Sequence, residues 1–192
     1  MKKTMLALCM TLAVVSNGAM AQANDNEIRI GVINPLTGPS KDIGIGAKLG
    51  ASLAAAEINA RGGINGKKVE LMVADEQCKP EIATNVATKL VSEGVNIVIG
   101  HVCSGATKAA LGIYKGAKII AISPSATNPP LTKSGEYPNF YRTIAPDDDQ
   151  ATLAAAFATD KLKAKSIAVL HDKGDYGKGF ADFAKEAIEK GG

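Results

Sequence analysis

The chain has 192 residues, 22 Lys and Arg against 19 Asp and Glu, a formal net charge of +3, and 46% hydrophobic residues of which few are aromatic. Lysines scattered along helix faces and loops, rather than gathered in a basic stripe, exclude a nucleic-acid-binding surface. The length allows one domain with a buried core and the start of another.

At the N-terminus Lys2 and Lys3 precede an apolar run from Met5 to Val15 and then Ala19-Met20-Ala21. The run is about eleven residues, short of the roughly 20 that span a bilayer, so residues 1–21 read as a secretory signal peptide cleaved before Gln22. Cys9 follows Leu6-Ala7-Leu8, but lipid attachment requires a small residue where Leu8 stands, which sets the lipoprotein reading aside. Loss of the leader brings the net charge from +3 to +1. It also leaves two cysteines in an exported chain, which read as one disulfide between Cys78 and Cys103. A metal site is the weaker reading, with no CxxC spacing and only His101 nearby.

From Glu27 onward short β-branched runs alternate with helical periodicity. Strands are expected over Glu27–Ile33, Lys68–Ala74, Val95–Gly100 and Ala117–Ile122, and helices over Gly46–Ala60, Pro80–Glu93 and Ser104–Lys115. In the second of these helices Ile82, Val86 and Leu90, flanked by Ala83, Ala87 and Val91, mark the buried face. This order means βαβ units, an α/β fold with a parallel sheet and helices on both faces. Asn128-Pro129-Pro130, Ser134-Gly135 and Pro138 then form a loop before an expected crossing strand at Phe140–Ile144. The alternation resumes with a helix near Asp148–Lys161, a strand at Ser166–Asp172 and a helix near Gly179–Lys190. The expected organisation is therefore a first lobe over residues 22–140, then a hinge crossing and an incomplete second lobe over 141–192.

Ligands of open α/β sheets bind beyond the C-terminal strand ends, so the loops there hold the candidate site. Ser104 opens a helix, where its hydroxyl and the free N–H groups of the first turn suit an anion such as a carboxylate, although the same residue serves equally as a simple N-cap. Ser125-Ala126-Thr127 brings small residues and hydroxyls beside the same crevice. An enzyme is the competing reading. Thr37-Gly38 with Gly44-Ile45-Gly46, and Tyr114 with Lys118, echo a short-chain dehydrogenase. The glycine loop is too long, Tyr114 comes too early in the chain, and export would separate such an enzyme from its cofactor. No GxSxG elbow occurs, and neither His101 nor His171 sits in a triad context. The expectation is a binding protein, with no catalytic centre and no cofactor.

Five stretches in order carry a family resemblance: Ile30-Gly31-Val32 with Leu36-Thr37-Gly38-Pro39; Glu57 to Gly66; Ile99 to Ser104; Ser123 to Thr127; and His171-Asp172-Lys173 leading to Tyr176-Gly177. With these the chain resembles the branched-chain amino acid (Leu/Ile/Val) binding proteins of ABC importers, periplasmic receptors with the type I periplasmic-binding fold. The resemblance implies that Ser104 binds a ligand carboxylate, and that the Ser125 carbonyl and Thr127 hydroxyl take the ammonium. It also implies that Ala126, Val102 and Cys103 border the site, that Tyr176 closes over it from the second lobe, and that Cys78 pairs with Cys103. A membrane permease as partner, an amino acid ligand, a periplasmic location and a monomeric complete protein follow in the same way. There are two departures: Ile43 stands where leucine-type receptors place an aromatic residue, and Ser125 replaces their alanine. They leave an amide, urea or aromatic acid as the alternative ligand.

Overall fold

The computed structural model describes residues 26–191, so the expected leader, its cleavage before Gln22 and Cys9 lie outside the described residues. Five parallel strands form one sheet: β1 (Glu27–Asn34), β2 (Lys68–Asp75), β3 (Ile97–Gly100), β4 (Ile120–Ser123) and β5 (Phe140–Arg142). Their order is β2-β1-β3-β4-β5. After β1 the chain steps outward to β2 and then returns to the other side of β1 at β3, so the strand order reverses there. Loops leaving β1 and β3 diverge at such a point and open a crevice.

Helices α1 (Lys41–Ala60), α2 (Pro80–Ser92) and α3 (Ser104–Gly116) make the crossovers. The core lies between the sheet and α2 and α3, where Ile33 and Val98 meet Ala87, Leu90, Ala110, Leu111 and Tyr114. Small residues on the buried stripes of α2 and α3 let the helices lie close to the β-branched strands, which is why alanines outnumber large side chains there. The expected α2 face is rotated slightly: Ala83, Ala87 and Leu90 are the fully buried positions.

Several elements differ from expectation. α1 begins at Lys41, not Gly46, because Ser40 and Asp42 start a helix that runs through Gly44 and Gly46. Glycine disfavours helix, but Gly44 is required: a Cβ there would collide with the Pro35 carbonyl, where the β1 loop folds onto the helix. The loop after β4 contains a short helix, α4 (Pro130–Lys133), started by the proline pair. β5 is the fifth strand of the sheet, paired with β4. α5 (Asp147–Ala156) continues into a π-helical turn at Phe157–Lys161. The strand expected at Ser166–Asp172 is absent; no described strand lies alongside it, and without a ladder its backbone N–H and C=O groups have no reason to adopt a strand. α6 (Asp175–Lys190) starts four residues before the expected Gly179 and packs on α5 through Ala151, Ala155, Ala181 and Ala184.

Candidate functional site

A crevice of about 310 Å³ opens at the C-terminal edge of the sheet. Its polar lining comes from Ser104, Ser125 and Thr127 and its apolar lining from Ile43, Val102 and Ile144, and Tyr176 lines it as well. Cys103, Ser40 and Gln150 complete the lining.

Ser104 is the first residue of α3, with Cys103 as N-cap in extended conformation, so the first-turn N–H groups, which lack intrahelical partners, begin at two residues that line the crevice. The Ser104 hydroxyl accepts the Asn128 N–H at 3.3 Å and keeps its own proton free to donate. Cys103 is joined to Cys78 with their Cα atoms 5.4 Å apart, which ties the start of α3 to the loop after β2. That loop is also anchored to the one after β1: the Asp75 carboxylate accepts the Leu36 N–H at 2.8 Å, the Gln77 N–H at 3.0 Å and the Thr37 hydroxyl at 2.5 Å. Burial pushes the Asp75 pKa up, but these donors outweigh it and hold the carboxyl below its usual range. The Thr37-Gly38 motif is thus a structural turn.

Ser123 organises the second wall. Its hydroxyl donates to the His101 carbonyl at 2.5 Å and accepts the Ser125 and Ala126 amides at 3.1 and 2.8 Å. Farther along, Arg142 in β5 donates to the carbonyls of Ala126 and Asn128 at 3.1 and 3.0 Å and also reaches Thr132. The Ser125–Asn128 loop is therefore pinned from both ends, and Thr127 is presented to the crevice by rigid neighbours. Tyr176 comes from the first turn of α6, which approaches α3: the Lys108 ammonium lies 3.4 Å from the Asp175 carboxylate, and the Asn128 amide donates to the Asp175 carbonyl at 2.7 Å.

Of the residues expected at the site, Ile43, Val102, Cys103, Ser104, Ser125, Thr127 and Tyr176 all line the crevice. Ala126 does not; it is fully buried in the hydrophobic core, with its amide bonded to Ser123. Sequence reasoning missed Ser40, Ile144 and Gln150, which reach the crevice from the start of α1 and from the segment joining β5 to α5. Ser123, Arg142 and Asn128, which position the lining, were missed too. A serine closing a strand before Pro124 was a usable signal for the first; the other two act across a turn and left none.

The residues of the dehydrogenase echo stand elsewhere. Tyr114 is fully buried, its hydroxyl 3.0 Å from His101 Nε2, and burial raises its pKa. His101 is equally buried and its pKa falls to about 3, so it is a neutral core residue. His171 is exposed and accepts the Lys173 N–H at 2.9 Å. Among the described residues no cluster of His, Cys, Asp and Glu could hold a metal ion, and no helix is long and apolar enough to cross a membrane.

A family described as periplasmic binding protein matches residues 27–192. The chain belongs to this family. It is 40% identical over 189 residues to the Leu/Ile/Val-binding protein of Escherichia coli K12, an alignment covering 98% of this chain and 50% of that protein. Among solved structures, a branched-chain amino acid transporter substrate-binding protein of Streptococcus pneumoniae in complex with isoleucine is similar, with a TM-score of 0.77 and 34% identity, over 85% of this chain and 47% of that one. A solute-binding protein of an R. palustris ABC transporter in complex with benzoate is similar with a TM-score of 0.74 and 26% identity, over 86% of this chain and 45% of that one. The five-stranded parallel sheet is that of the type I periplasmic-binding fold. The chain spans about half the length of the curated relatives it matches.

Proposed function

We propose that the protein captures a branched-chain amino acid in this crevice and delivers it to a membrane ABC permease. The observation that carries the reading is the division of one crevice into two walls. Ser104 and the start of α3 offer donors for a carboxylate, and Ser125 and Thr127 offer oxygens for an ammonium. Ile43, Val102 and Ile144 offer an apolar surface for an aliphatic side chain. In this reading Tyr176 covers the ligand from a second lobe, with residues 22–140 as the first lobe and the hinge crossing beginning at Tyr141. Residues 1–21 direct export to the periplasm, and the protein binds its ligand without catalysis or cofactor as a monomer. The similarity to proteins named for Leu, Ile and Val supports this ligand class.

One observation favours a second reading, an aromatic acid. With Ile43 and Ile144 in place of larger groups, the apolar wall has room for a flat ring, and the benzoate-bound relative shares the fold.

Calorimetric titration with leucine, isoleucine, valine, a neutral amide and benzoate separates the two. Leucine and isoleucine bind, and Ser104→Ala weakens them by about 1.5–3 kcal/mol, the range for a hydrogen bond to a charged group. Binding of benzoate without any amino acid overturns the first reading in favour of the second.

A further inference from the structure

Behind Thr127 lies a group that the crevice itself does not display. Asp147, the first residue of α5, is 0% exposed, and neither of its carboxylate oxygens accepts a hydrogen bond of ordinary geometry from any described residue. An isolated buried carboxylate is costly, so what surrounds it matters. Its N–H donates to the Thr127 carbonyl at 3.0 Å, locking the two residues back to back. Burial raises the Asp147 carboxyl pKa above its usual range, and the Thr127 hydroxyl, itself buried and without a partner of ordinary geometry, opposes that rise only in part. The other charged groups nearby are committed. Arg142 attracts Asp147 from a distance, but its N–H groups hold the Ala126, Asn128 and Pro129 carbonyls. The Asp148 carboxylate pairs with Lys133.

We infer that Asp147 is the positioning residue that makes the crevice select ligands bearing an ammonium group beside their carboxylate. A hydroxyl next to a buried carboxylate gives its proton to that carboxylate, and its oxygen lone pairs are then left as acceptors. Thr127 turned this way accepts from an N–H and cannot donate to a carboxylate. The charge behind it adds an attraction for a cation and a repulsion for an anion in a region of low dielectric. An α-amino acid satisfies both walls at once, carboxylate at the start of α3 and ammonium at Thr127. A simple carboxylic acid leaves the Asp147 charge uncompensated. The inference rests on the amino-acid reading above, and gives it a residue that separates amino acids from benzoate-like acids.

The test compares leucine with 4-methylpentanoate, which keeps the side chain and carboxylate but lacks the ammonium, in the full-length protein and its Asp147→Asn variant. Leucine binding weakens on the order of tenfold or more in the variant, while 4-methylpentanoate binding is unchanged or tighter, so the ratio of the two affinities collapses. A merely structural role would weaken both ligands together and leave the ratio intact, which overturns the inference while leaving the amino-acid reading standing. Should Asp147→Asn fail to fold, as judged by its unfolding transition, Asp147→Ser removes the same charge and the ratio is read there. Wild-type protein that binds 4-methylpentanoate or benzoate and no amino acid overturns both.

Discussion

Glu76 sits two residues before Cys78, fully buried among Asn34, His101 and Tyr114 at the strand ends beneath the crevice. Burial pushes its pKa from 4.5 up to about 7; the Cys78 amide opposes this and the Asp75 charge adds to it. Because the folded pKa lies above the unfolded one, the folded state holds this proton more tightly. The resulting stability is fully present below about pH 4.5 and is lost as the pH rises through about 7. Glu76→Gln keeps the shape and removes the titration. The variant matches the wild type near about pH 5 and exceeds it by about 1–3 kcal/mol near about pH 8.5. Denaturant unfolding at several pH values checks this, and parallel curves for the two proteins refute it. Single residues of the site differed in how visible they were beforehand. Ser104, Ser125 and Thr127 follow strand ends, where period and turn residues give their place away. Gln150 and Ile144 enter the crevice from a segment whose approach is set by β5 pairing with β4, and a linear sequence carries no sign of that.

At the level of elements, the starts of α3 and α6 meet beside the crevice. Lys108 and Asp175 span the gap, Asn128 bonds to the backbone there, and a Cβ at Gly179 would press within 3.0 Å of the Asn128 amide nitrogen. Tyr176 follows Asp175 directly, so whatever holds the first turn of α6 also holds the aromatic residue that lines the crevice. Both partners of the ion pair are partly exposed, and such pairs are weak and screened by salt. Lys108→Asp therefore speeds leucine dissociation by only about two- to fivefold, an effect that fades at high salt. The double swap Lys108→Asp with Asp175→Lys restores the wild-type rate. Stopped-flow dissociation measures it, and a double swap no slower than the single change shows that the pair does not act as a latch. The same region marks the limit of reading elements from sequence. Four strands and the helices between them followed from period and β-branching, because each packs on its chain neighbours. The Ser166–Asp172 run has the same composition, but composition supplies no ladder, and the structure forms none there. α6 in turn reaches back to Asp175, since Gly174 in extended conformation stops the preceding segment and the acidic residue suits a helix start.

For the molecule as a whole, the two faces of the sheet are unequal. α2 and α3 bury one face densely, whereas among the described residues α1 alone lies on the other and fully buries only Gly44 and Ala55. Parallel sheets depend on cover for both faces, and here Ile120 and Tyr141 of β4 and β5 remain substantially exposed. On α1, Ile45, Leu49 and Leu53 recur every fourth residue and so form a continuous apolar stripe, with Leu49 and Leu53 61% and 63% exposed. Isolated exposed leucines need no explanation, but a helical stripe beside a bare sheet face makes a connected apolar surface, the kind that drives association. A protein limited to residues 22–192 is accordingly expected to bind a hydrophobic dye and to self-associate as its concentration rises. Replacing Leu49 and Leu53 together with Gln reduces both. Because neither side chain is buried, the substitution shifts unfolding stability by no more than about 0.5 kcal/mol per site. Sedimentation velocity over a concentration series, with denaturant unfolding of the same samples, checks the two halves of this prediction separately. Unchanged association in the double variant would move the sticky surface off α1 and onto the sheet face at Ile120 and Tyr141, whereas a large loss of stability would mean that the stripe is packed in solution.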